Sequence, residues 1–233
     1  MTECEKMISG AMYNSSDKAL VDRRLLARKY CRLFNTDPLD ATFNEPSENQ
    51  VAPTGKRRRE LLQTLIPDLG EGSFIQGPLQ VDYGINIHAG KNFFANYNLT
   101  IMDVCPITIG HDVFFGPNIS LLTPMHPLDY KERNAQVDDR GQVYNLEYGK
   151  PIRIGDNCWF GGNVTVIGGI TIGNGCVIGA GSVVTHDIPD HSLAAGNPCR
   201  VIREIYRALW LFAAFPYCHW MSTNPCYYFF IIK

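Results

Sequence analysis

No secretory leader is expected: residues 1–10 carry Glu3, Glu5 and Lys6 and lack an apolar core, which points to a cytoplasmic location. The eight cysteines, Cys4, Cys31, Cys105, Cys158, Cys176, Cys199, Cys218 and Cys226, contain no C-x-x-C pair and do not crowd into a short scaffold. That spacing excludes a disulfide framework and points to reduced, buried thiols. Charge is sparse, 19% of residues with a formal net of -2, which leaves no electrostatic footprint for nucleic acid. The single basic run, Lys56, Arg57, Arg58 and Arg59, reads as a solvated helix start. Sequons stand at Asn14, Asn98, Asn118 and Asn163, and without export they should stay unmodified. Between residues 208 and 232 there is no Asp, Glu, Lys or Arg at all. Pro216 and the polar run Ser222, Thr223, Asn224, Pro225 interrupt that stretch, whereas a membrane span needs about 20 mostly apolar residues. It reads as an extension without packed structure, with packing on the assembly or a membrane tail as the other readings.

What is present divides at about residue 66. Residues 1–66 read as helical: Thr2 and Glu5 have capping-box spacing, and a longer helix is expected from near Asp17 to Phe34 with Leu26, Tyr30, Leu33 and Phe34 on one face. Pro38, Pro46 and Pro53 mark residues 35–55 as a connector. A third helix carries Leu61, Leu62, Leu65 and Ile66, and Pro67 ends it. Beyond this the period changes. Ile154, Phe160, Val166, Ile172, Ile178 and Val184 stand six apart, four of them followed by glycine. Four places after each come Cys158, Val164, Ile170, Cys176, Ser182 and Ile188. A helix needs apolar residues at three and four, and a half-buried strand needs every second one. A strict six fits a triangular solenoid whose anchors stack eighteen residues on. Weaker traces run through Val81, Ile87, Phe93 and Leu99, then Ile109, Phe115 and Leu121. The pattern lapses over residues 123–150, read as a loop leaving the prism, and long loops on a rigid scaffold are often functional.

The motifs resemble those of the maltose and galactoside O-acetyltransferases, a branch of the hexapeptide-repeat acyltransferases. Carrying the likeness are Tyr83-Gly84-x-Asn86-Ile87, Asn92 to Asn96, Asp103-Val104-Cys105-Pro106, Thr123-Pro124-Met125-His126-Pro127, and the segments from Gly155 to Trp159 and from Ala195 to Ile202. The resemblance spans about residues 5–205. It implies a left-handed parallel β-helix over residues 67–205 behind an N-terminal helical segment, 1–66, with an atypical tail at 206–233. It also implies a cytoplasmic homotrimer that moves an acetyl group from acetyl-CoA to a sugar hydroxyl, without a metal, nucleic acid or membrane partner.

Residue by residue, the resemblance makes His126 the general base, a task that suits an imidazole titrating near neutral pH. Glu147 would orient it or stabilise its charge. Asn96, Asp103 and Asp17 would hold the acceptor hydroxyls; the plainer readings are a corner residue for Asn96 and a turn cap for Asp103. Trp159 and Gly162 would flank the acetyl thioester, the Gly162 amide as oxyanion donor. Trimer packing is the plainer reading of Trp159. Ala180 and Thr185 would line the pantetheine arm, and His186 and Arg203 the nucleotide phosphates; for Arg203 the alternative is a surface arginine. His186 replaces the lysine of the galactoside enzyme. Phe94 and Val104 follow the maltose type and Asn98 the galactoside type, so the acceptor stays open, and a chito-oligosaccharide or a xenobiotic is the runner-up. A metal hydratase of the γ-carbonic-anhydrase type is the rival from another class, resting on His186 and His191; an inactive structural subunit is the other.

Overall fold

The computed structural model describes residues 1–36 and 56–205. Most of the expected connector and the whole tail lie outside the described residues. Helix α1 (Glu3–Ser9) starts on the expected capping box, Thr2 accepting from the Glu5 amide and Glu5 from that of Thr2. Helix α2 runs over Lys18–Thr36 and α3 over Lys56–Leu65. Two details of the helices differ from expectation. In α2 the buried residues are Leu20, Ala27, Cys31 and Phe34, whereas Leu26 is 52% exposed. The small Ala27 and Cys31 let the helix lie close against the prism wall, which the bulkier Leu26 would prevent. In α3 Arg58 is not solvated. It is 3% exposed, donates to the carbonyls of Phe34 and Gln76 at 2.8 and 2.5 Å, and stacks 3.7 Å over the Phe34 ring.

The solenoid follows. Three sheets of five, five and seven strands form its sides, all parallel except the last strand of the seven, Arg200–Glu204, which is antiparallel. The expected anchors Ile154, Phe160, Val166, Ile172, Ile178 and Val184 are all buried, as are Cys158, Val164, Ile170, Cys176, Ser182 and Ile188. Eighteen residues separate stacked anchors only in the later coils, as in Ile154 on Ile172. Earlier, Val81 pairs with Ile101 and Ile101 with Leu121, a twenty-residue coil. The surplus falls at one corner, residues 82–86 and 103–106, and explains the irregular early trace: Phe93 and Leu99 fill the second inward position beside the true anchors Ala95 and Ile101.

Each side shows a distinct outer row. Phe74, Phe94, Phe114, Trp159, Val177 and Leu193 align on the aromatic side. Gln80, Thr100, Ser120, Thr165 and Val183 align on the hydroxyl side. Asp68, His88, Thr108, Arg153 and Thr171 align on the charged side. Residues 123–150 do leave the prism, between the hydroxyl and charged sides, but not as an irregular loop. They form a helical turn, α4 (Tyr130–Arg133), a hairpin of Gln136–Val137 with Val143–Tyr144, and the strands Pro124–Met125 and Leu146–Gly149. The last strand pairs on its far edge with Tyr13–Asn14, a strand inside the segment expected to be helical.

Candidate active site

His126 sits at the end of the strand Pro124–Met125, on this small antiparallel sheet. Tyr13 lies opposite Glu147, and Met125 opposite Tyr148. One further step of the antiparallel register brings His126 opposite Glu147, so Tyr13, Glu147 and His126 share one row and one face. The side chains meet accordingly. The Tyr13 hydroxyl donates to Glu147 Oε1 at 2.8 Å, and Glu147 Oε2 lies 3.9 Å from His126 Nε2. Glu147 is largely covered and half of the His126 side chain reaches solvent. Burial, the first cause, and then the Glu147 charge push the Tyr13 phenol far above its usual range, so it stays a proton donor.

Behind the row, burial raises the Asp82 carboxyl, opposed by Arg24 and reinforced by Glu147. Arg24 donates to Tyr83 Oη and to the Ser15 carbonyl, both at 2.6 Å. Tyr13 and Asp82 were not singled out from sequence. Tyr13 contacts a residue 134 positions away, and no local pattern marks such a pair.

A second group gathers at the corner between the aromatic and hydroxyl sides. Asn96 follows the strand Phe94–Ala95, and its Oδ1 accepts from the Tyr97 amide at 2.8 Å. The left-handed corner residue is instead Asn98, at φ 60°, stacked on Asn118. Trp159 stands 44% exposed in the aromatic row, one coil from Phe114 at 51%. The Gly162 amide makes no hydrogen bond within the described residues, which suits an oxyanion donor; Ala180 lies exposed on the next coil at the same corner. Thr185 and His186 occupy the opposite corner of the hydroxyl side. Arg200 Nη1 lies 3.3 Å from His186 Nδ1, and Thr185 Oγ1 2.9 Å from the same atom. A guanidinium only donates, so Nδ1 accepts, and Arg200, missed in the sequence, supplies the fixed cation there. Arg203 projects elsewhere, opposite Leu193 at the end of the aromatic row.

Two expected acceptor ligands accept hydrogen bonds from the backbone. Asp17 caps α2, its Oδ1 accepting from the amides of Ala19 and Leu20 at 3.0 and 3.3 Å. Asp103 is 0% exposed. Its carboxylate accepts from the amides of Asp82, Tyr83 and Asn86 at 3.1, 2.8 and 3.3 Å, so it braces the surplus corner. Burial pushes its carboxyl up to about 7, against amides that favour the charge. The two histidines of the hydratase reading part company, His186 at one corner and His191, at φ 55°, at the next. Among the described residues no three His, Cys, Asp or Glu side chains converge as a metal site, and no helix is long and apolar enough to cross a membrane. A cleft of about 380 Å³, lined by Gly10, Met12, Pro127, Glu132 and Tyr148, opens against the small sheet. By strand alternation Met12, Tyr148 and Pro127 lie on the face away from His126.

Comparison with known proteins adds to this geometry. Residues 6–70 match the family model of the maltose acetyltransferase hexapeptide capping motif, and residues 151–186 that of the hexapeptide repeat of succinyl-transferase. The sequence is 38% identical over 205 residues to the galactoside O-acetyltransferase of Escherichia coli, covering 88% of this chain and 90% of that one. A maltose O-acetyltransferase structure from Clostridium difficile superposes with a TM-score of 0.74 at 43% identity, over 88% of this chain and 98% of the other. A hexapeptide-repeat acetyltransferase of Vibrio cholerae, solved with acetyl coenzyme A, gives a TM-score of 0.72 at 32% identity, over 88% and 100%.

Proposed function

The chain belongs to the hexapeptide-repeat family of the maltose and galactoside O-acetyltransferases, and from that premise we propose that it transfers an acetyl group from acetyl-CoA to a sugar hydroxyl with His126 as base. That it is an acyltransferase follows from the membership itself. The observation that carries the finer reading is the row Tyr13, Glu147, His126, which sets a half-exposed imidazole beside a carboxylate at 3.9 Å. Glu147 faces Nε2 and favours the tautomer with its proton there, leaving the Nδ1 lone pair for the acceptor hydroxyl. The hydroxyl oxygen attacks the thioester carbonyl while Nδ1 takes its proton. The Gly162 amide stabilises the oxyanion, and collapse expels the CoA thiolate, which takes the proton back from His126.

His126 and Glu147 flank one edge of the hydroxyl side, whereas Asn96, Trp159 and Gly162 occupy the other. Gly162 and Gly168 stand six positions apart across that side, roughly 20 Å of extended chain. A centre using both groups therefore draws them from two neighbouring prisms, which supports a homotrimer with acetyl-CoA in the crevice between copies. The exposed aromatic row supplies an apolar surface for such packing. An acceptor screen with acetyl-CoA, reading thiol release on maltose, glucose and a galactoside, tests the substrate class. Release on none of them, with turnover on a chito-oligosaccharide or another hydroxylated compound, would move the acceptor outside that class.

A further inference from the structure

Tyr13 is almost completely buried, 1% exposed, yet it reaches across the small sheet to Glu147. Its ring packs with Met7, Leu20, Tyr83 and Val104, so the hydroxyl is held from behind by the N-terminal helices. The donor is permanent, because burial and the Glu147 charge keep the phenol protonated. A carboxylate side chain has freedom about its terminal torsion; one oxygen tied to Tyr13 fixes where the other points, and here it points at His126 Nε2.

We propose that Tyr13 is a positioning residue for the transfer: its hydroxyl anchors Glu147, and through Glu147 it sets the orientation and tautomer of His126. The proposal rests on the reading of His126 as the base. The other charged groups around the row are accounted for. Asp82 and Arg24 flank Glu147 and Tyr13 from behind, with Arg28 next to Asp82. On α4, Arg133 is engaged with the carbonyls of Pro127 and Leu128, and Glu132 lines the cleft on the other face of the sheet. On α1, Lys6 and Glu3 are paired at 2.6 Å. Among the described residues only Tyr13 donates a side-chain hydrogen bond to Glu147.

The test is a double-substitution cycle read by the ring-nitrogen chemical shifts of His126, which report its tautomer. These signals, assigned by their loss in His126→Asn, are compared under one condition in the wild type, Tyr13→Phe, Glu147→Gln and the double variant. Each single change should move them toward the tautomer mixture of an unconstrained imidazole, because the carboxylate facing Nε2 is no longer held in place or no longer present. In the Glu147→Gln background, Tyr13→Phe should add nothing, since it acts only through the carboxylate. Turnover of the singles should fall by about tenfold with acetyl-CoA affinity unchanged, which also shows that the fold survives. Unmoved signals in Tyr13→Phe, or changes that add in the double variant, overturn the proposal and leave a packing role. The spectrum needs no acceptor, so that failure is separate from the failure of the base assignment, which retention of more than about a tenth of the rate by His126→Asn would bring.

Discussion

At the scale of single residues, His126 and Asp103 make opposite predictions although both come from the same family motifs. His126→Asn keeps the side-chain size and removes the base. It should lower turnover by about 10²–10⁴, or roughly 3–5 kcal/mol of barrier, leave acetyl-CoA affinity unchanged and abolish the acid limb of the rate profile. That limb arises because a protonated imidazole cannot accept the hydroxyl proton. Kinetics and donor binding measured side by side decide it; more than about a tenth of the rate retained refutes the role. Asp103→Asn should instead lower stability by about 1–3 kcal/mol, because an amide nitrogen would oppose the Asn86 amide now facing Oδ2. Denaturant melts read that loss. An unchanged melt with a raised acceptor KM would restore Asp103 as a sugar ligand. Sequence could not separate the two residues, since a motif records identity and not which side of a corner a carboxylate faces.

At the scale of elements, the inward and outward rows of one side separate folding from assembly. Phe160 is fully buried and meets Phe115 edge-on at 4.7 Å. Phe160→Ala should cost about 3–5 kcal/mol, seen as a lower melting midpoint. The hexad spacing made this legible, because every inward residue of the later coils must be apolar or small to fit the prism. The strand Tyr13–Asn14 was not legible. Two residues give no period, and the pairing with Glu147 and Leu146 exists only once the excursion has folded back. A chain lacking residues 1–16 should therefore keep its parallel-sheet circular dichroism and lose at least about tenfold in turnover. Loss of the sheet signal would show that α1 and this strand are needed to hold the coils together.

At the scale of the whole molecule, the proposed composite site needs more than one copy. Light scattering should give about three times the 26.1 kDa chain mass, and a monodisperse active monomer would refute the composite site. Phe114 stands in the outer aromatic row between Phe94 and Trp159. Phe114→Glu should leave the coils folded but place charge in the packing surface, shifting the mass toward a single chain and removing activity together with it. A full-mass, active Phe114→Glu protein would show that this row is not where the copies meet.

The sequence by itself determined the repeat, the inward anchors of the later coils, the helical N-terminal segment and the point where residues 123–150 leave the prism. Each is written in short-range spacing, because stacking makes every coil obey the same local pattern. The hand of the helix came from family likeness, since a six-residue period is the same for either hand. Tertiary structure alone decided the rest: that Arg58 is buried against Phe34, that Asp17 and Asp103 accept from the backbone, that Arg200 joins His186, and that Tyr13 reaches Glu147. These are contacts between residues 14 to 134 positions apart, the Asp17 cap excepted. Only the closing of the coils and of the small sheet brings such residues together.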